Sequence, residues 1–171
     1  MTQDAKDIMM ETADALLRVI GDDYFTVEED TCFCTYPTLK QIFVGFDCVE
    51  LEEGSEFIVD FRNRLGKEEF GNISPFMLAL LHECGHCETW WKMTWRNLRR
   101  CRHIKREIER GRRPTAQYYT LADERMATNW AIYFIREHTE LVEYFDRTFK
   151  KHLTTLTLDD IIKLQKGKEN T

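Results

Sequence analysis

Residues 80–86 read Leu-Leu-His-Glu-Cys-Gly-His. They contain the pattern H-E-x-x-H and lie behind Ser74-Pro75, a good helix N-cap followed by the residue best suited to the first helical position. The spacing predicts a helix over 76–86. At 3.6 residues per turn, His82 and His86 then fall about 40° apart on one face. Two imidazoles one turn apart can reach a single Zn²⁺ at about 2.0–2.1 Å. Glu83 lies about 100° around the helix, beside the metal without ligating it, where a general base for a zinc-activated water must stand. Average residue usage yields this pattern by chance in a chain this long on the order of once in a few hundred sequences.

A catalytic zinc site needs three protein ligands and an open position. The segment Asp123-Glu124-Arg125-Met126-Ala127-Thr128-Asn129-Trp130-Ala131 supplies the best third ligand, Glu124, 38 residues after His86. Glu124, Ala127 and Ala131 share one side of a helix expected from about Thr120 to His138. The small alanines let it pack closely on the H-E-x-x-H helix while Glu124 points at the metal. A first-turn carboxylate favoured by the helix dipole is the plainer role for Glu124.

The rest of the chain reads as an α+β arrangement with segregated parts. Apolar residues at spacings of three and four predict a helix over 4–20, with Gly21 where a C-cap glycine would end it. Segments 32–36, 42–46 and 57–61 are short, aromatic or β-branched, and separated by turn signals, and they read as three strands of a small mixed sheet. After the 76–86 helix comes a basic helical stretch ending near Arg110, with Gly111 and Pro114 as stop signals. Further helices are expected over 140–152 and 158–164.

H-E-x-x-H followed by E-x-x-A on a later helix resembles the gluzincin metallopeptidases, and among them the small ImmA/IrrE-type family. The resemblance rests on the order of an apolar strand (57–61), His82 to His86, then Glu124 with Ala127, Trp130 and Ala131, and covers roughly residues 40–135. It implies a zincin-like fold, one zinc held by His82, His86 and Glu124, Glu83 as base, and hydrolysis of peptide bonds. It also implies that an extended peptide docks along a sheet edge near the metal, for which the 56–61 strand is the expected edge. Thr128 departs from the family pattern, where Asn or Asp is frequent. Cys84, Cys87 and the long basic insertion are also unusual for the family. Tyr118, Tyr119, His103 and Arg125 are the candidates for a second oxyanion donor.

Composition bounds the alternatives. At 171 residues, one domain spanning 1–171 is expected, with its end frayed from about residue 166. No apolar run approaches the roughly 18 residues of a membrane span. The start of the chain has no basic segment followed by an apolar one, so a cytoplasmic enzyme without a membrane partner is expected. Six cysteines in that setting favour free thiols over a disulfide framework. A four-thiolate site from Cys32, Cys34, Cys84 and Cys87 is the weaker reading, because buried free cysteine behaves as a small apolar residue. Trp90, Trp91 and Trp95 read as helix packing. The net charge is −6, yet 92–113 holds ten Lys or Arg against Glu107 and Glu109.

The enzyme reading takes a peptide or protein as its substrate. Its rival is a zincin-fold regulatory protein that uses 92–113 to engage nucleic acid or an acidic protein partner. Only weak, non-specific nucleic-acid binding is expected, since the chain is acidic and lacks a recognised motif. A closed structural zinc site, with a cysteine as fourth ligand, is a third reading.

Overall fold

The computed structural model describes residues 2–21, 23–30, 32–46, 51–66 and 73–153. Its elements are α1 (Gln3–Ile20), β1 (Phe25–Asp30), β2 (Cys34–Tyr36), β3 (Gln41–Gly45), α2 (Glu56–Leu65), α3 (Pro75–Thr89), α4 (Trp95–Glu109), α5 (Ala122–Glu137) and α6 (Thr139–Leu153). The architecture is α+β and mostly helical. None of the described helices is long and apolar enough to cross a membrane. The helix expected over 158–164 lies outside the described residues.

The sheet has the order β1-β3-β2 and is mixed. β1 runs parallel to β3, with an irregularity between Val27 and Glu29, and β2 runs antiparallel to β3, pairing Cys34 with Phe43 and Tyr36 with Gln41. β2 is therefore an edge strand. A single 3₁₀ turn, Pro37–Leu39, joins it to β3, and Lys40 closes that turn in the left-handed region at φ 49°.

Three strands were expected, but not these three. Residues 57–61 lie inside α2. Ser55 caps that helix by accepting from the Ile58 N–H, and Phe57, Ile58, Phe61 and Leu65 form its buried stripe while Val59 is exposed. Phe57 and Phe61 fit a period of two or a period of four equally. Ile58 and Leu65 fit only the helix. The third strand is instead Phe25–Asp30, whose acidic sequence hides its β pairing. A substrate edge at 56–61 is excluded with the strand itself.

α3 is the centre of the molecule. Nearly all its side chains are buried, which is why its apolar residues surround the helix instead of marking one stripe. Ser74 accepts from the Met77 N–H as N-cap, and the Ser74 N–H donates to Asp146 Oδ1 of α6 at 2.7 Å. The start of α3 is thus fixed from a helix 72 positions away. α1 packs on α6 and ends at Gly21, whose φ of −177° is extended backbone, not the left-handed C-cap that glycine so often supplies. The apolar cluster of Met9, Leu16, Ile42, Phe61, Phe76 and Phe149 joins both ends of the chain to α3.

The strongest helix–helix contact is between α3 and α5. Gly85 makes it possible. A Cβ there would stand 2.3 Å from the Ala127 carbonyl oxygen and 2.8 Å from two more Ala127 backbone atoms. The expected close approach through small residues is present, with glycine on one helix and alanine on the other.

Candidate metal centre

α3 and α5 bring three ligand-type side chains together. His82 Nε2 lies 3.1 Å from Glu124 Oε2, and His86 Nε2 lies 3.5 Å from the same oxygen. The donor atoms of the three residues all fall within 4.8 Å of one another. The group can hold a metal ion. Glu124 is buried and His82 nearly so, while His86 is half-buried. Among the described residues the group has three members, and no cysteine belongs to it.

Each member is oriented by a neighbour. Thr128, one turn beyond Glu124 on α5, places its Oγ1 3.1 Å from His82 Nδ1. A metal ion would be met by the tautomer in which Nδ1 donates to that hydroxyl and Nε2 keeps its lone pair; without the ion, Nε2 donates to Glu124 Oε2. The Phe57 ring packs edge-on against the His82 imidazole at 5.1 Å, and the two imidazoles lie at 85° to each other. Lys105, reaching in from α4, donates to Glu124 Oε1 and forms an ion pair with Asp123 Oδ2 at 2.8 Å. One carboxylate oxygen of Glu124 is thereby held by an ammonium, and the other is presented to the histidines.

The electrostatics follow from this packing. Burial alone would raise the Glu124 pKa, but hydrogen bonds from His82 and His86 hold the carboxyl well below the usual carboxylate range. Glu83 does not ligate. Burial pushes its carboxyl up to about 7, with the negative charge of Glu124 adding to the rise and His82 and Lys105 opposing it. Burial would lower the Lys105 pKa, but Glu124, Tyr118 and Asp123 outweigh it and raise that pKa.

These residues form the floor of an open cleft of about 600 Å³. Its lining comes from edge strand β2 and the residues before it, from α4, and from the 3₁₀ segment Thr115–Thr120. Of the four oxyanion candidates, Tyr118 and Tyr119 line the cleft. His103 and Arg125 are exposed and do not. Tyr118 stacks on the Lys105 ammonium, 4.8 Å from ring centre to Nζ. The 3₁₀ segment is tied down by Arg64 of α2, which donates to the Tyr119 carbonyl.

The cysteines divide as expected for free thiols. Cys84 and Cys87 are buried in the core, and the Cys87 thiol meets the Thr35 hydroxyl at 3.2 Å. The three tryptophans do not pack as expected. Trp91 and Trp95 are each 65% exposed and Trp90 is partly so. Trp90 and Trp91 lie in the 3₁₀ turn that follows α3, and Trp95 is the first residue of α4.

Lys105 was not foreseen. In the sequence it is one of the ten cations of 92–113. In α4, however, Leu98, Cys101, Lys105 and Ile108 repeat at three and four and form the inward face, so the periodicity does mark Lys105 as facing in. Thr128, read only as a departure from a family pattern, is the residue that orients His82.

Comparison with protein-family models, with curated proteins and with solved structures finds no match to this chain.

Proposed function

We propose that the chain is a zinc-dependent metallopeptidase of the gluzincin type, similar to the small ImmA/IrrE-type enzymes. The observation that carries this reading is the convergence of His82, His86 and Glu124 on the floor of an open cleft, with a buried, non-ligating Glu83 beside them. The donor set fits zinc. Two ligands bound at about 2.0–2.1 Å with tetrahedral angles stand about 3.3 Å apart, and the two nitrogen–oxygen separations here are 3.1 and 3.5 Å. Two imidazoles and one carboxylate also form a familiar catalytic set, and three protein ligands facing a cleft leave the fourth position to water or substrate.

When bound, zinc supplies a Lewis acid that polarises a carbonyl and lowers the pKa of water. The chain's own residues do the remaining work. Glu83 accepts a proton from the attacking water and returns it to the leaving amine. Thr128 keeps the His82 ring in one tautomer and orientation. Lys105 fixes the Glu124 carboxylate, and the Tyr118 hydroxyl is the best-placed donor for the developing oxyanion. The edge available to an extended substrate is β2, whose residues line the same cleft.

The exposed cations of α4 favour a second reading, a regulatory protein that binds an acidic partner and has no use for Glu83. One pair of variants separates the two. Glu83→Gln should retain zinc and fold while losing about two to four orders of magnitude in hydrolysis. Glu124→Ala should lose zinc and hydrolysis together, because it removes a ligand. Metal content and cleavage of a mixed peptide library are measured on both. Parent-level cleavage by Glu83→Gln would refute the mechanism. Absence of stoichiometric zinc in the parent would refute the site.

A further inference from the structure

The cleft wall made by α4 has a pattern of its own. Leu98, Arg102 and Lys105 line the cleft and are spaced four and three apart, so they form one inward row. Their electrostatic roles differ. Lys105 is neutralised by Asp123 and Glu124. Arg102 forms no ion pair with any described residue and is exposed at the cleft wall. Leu98 is apolar and half-buried. Trp90 and Met93, from the turn that leads from α3 into α4, line the cleft at the same end as Leu98.

At 1.5 Å rise per residue, Arg102 stands about 4.5 Å and Leu98 about 10.5 Å from Lys105 along the α4 axis. Lys105 touches a metal-ligand candidate, so it marks the reacting centre on this wall. An extended peptide advances about 3.3 Å per residue. For a peptide running along that axis, Arg102 is between one and two residues from the scissile bond. The apolar end formed by Leu98, Met93 and Trp90 is about three residues from it.

We infer that α4 is the specificity wall of the cleft, and that it selects acidic peptide segments: an Asp or Glu one or two residues from the scissile bond pairs with Arg102, and a large apolar side chain about three residues out docks on Leu98, Met93 and Trp90. The inference rests on the metallopeptidase reading and gives that site a substrate class. A guanidinium at a cleft wall, with its acidic neighbours already committed to Lys105, is available to a ligand's carboxylate.

The test uses the zinc-loaded full chain and a fluorogenic peptide set in which each position within three residues of the scissile bond carries Glu, Lys, Leu or Ala. Equilibrium binding of the same peptides to Glu83→Gln is read by anisotropy. Parent hydrolysis and Glu83→Gln binding should both favour Glu over Lys at one position, by about fivefold or more. Arg102→Glu should invert that preference to Lys. Arg96→Glu makes the same charge change on the same helix, on the side opposite Lys105, and should leave the preference unaltered. Inversion by both variants would mean long-range steering and would overturn the contact. Hydrolysis with no acidic preference would overturn the inference and leave the peptidase reading standing. Selective binding by Glu83→Gln without hydrolysis by the parent would refute the peptidase reading and, with it, the register to a scissile bond, leaving Arg102 as a contact for acidic peptides only. Neither binding nor hydrolysis of any peptide would refute both.

Discussion

Replacing Gly85 by alanine adds one methyl group to the tightest point between the two helices that carry the ligands. That carbon would stand 2.3 Å from the Ala127 carbonyl oxygen, where ordinary contact begins near 3.4 Å. The helices must separate or rotate by something on the order of 1 Å to admit it, because a packed interior has no slack. Two effects oppose each other. The obstruction is backbone and cannot swing aside, so overpacking falls in the upper part of its usual range, about 2–3 kcal/mol, while alanine is favoured over glycine in a helix by about 1 kcal/mol. A net loss of about 1–2 kcal/mol should lower the melting temperature of the metal-free protein by roughly 3–8 °C. The loss in metal binding should be larger. A functional site tolerates shifts of only about 0.2 Å in its ligand distances, so moving Glu124 relative to His82 and His86 should weaken zinc by at least about tenfold.

Scanning calorimetry of the apo protein and competition with a chromophoric chelator measure the two effects. The collision is with backbone atoms of Ala127, so Ala127→Gly should not rescue Gly85→Ala. A Gly85→Ala protein with the parent's melting temperature and zinc affinity, or one rescued by Ala127→Gly, would refute this account of the packing.

Two further variants examine how the site is held. Thr128→Val keeps the shape of the side chain and removes the hydroxyl at His82 Nδ1, and zinc affinity measured by competition should fall about 10–100-fold while the fold persists. Lys105→Met removes the cation shared by Asp123 and Glu124; the apo protein should lose about 2 kcal/mol in denaturant unfolding, and the gain in stability on adding zinc should exceed the parent's, because a bound cation replaces the missing charge.

The histidine pair, Glu83 and Glu124 are legible in the sequence because the chemistry dictates their spacing and one helix delivers it. Gly85 and Ala127 are legible because close packing demands small residues. The 57–61 segment is misleading for a definite reason. Two phenylalanines four apart satisfy both periods, and the decision belongs to Ile58, Leu65 and the cap at Ser55, which only a longer window includes. β1 escapes notice because pairing with β3, not its own composition, makes it a strand. Lys105 escapes because a charge on a basic helix looks solvated until its neighbours Cys101 and Ile108 are seen to face inward. The exposure of Trp91 and Trp95 depends on what stands opposite them, which local sequence does not record.

The bond from the Ser74 N–H to Asp146 bears on when the protein becomes capable of acting. During synthesis both histidines emerge early, as parts of a helix whose first turn has no finished anchor. Glu124 follows some forty residues later, and the α6 carboxylate that clamps Ser74 comes later still. α1, made before α6, must also wait for it before it can cover its apolar face. The order of translation therefore delays assembly. A partly made chain presents a pair of imidazoles with no carboxylate to complete the set and no lock on the helix that bears them. The three-membered set that could hold a metal therefore comes together only once α5 has joined α3, and its helix is locked only once α6 has followed.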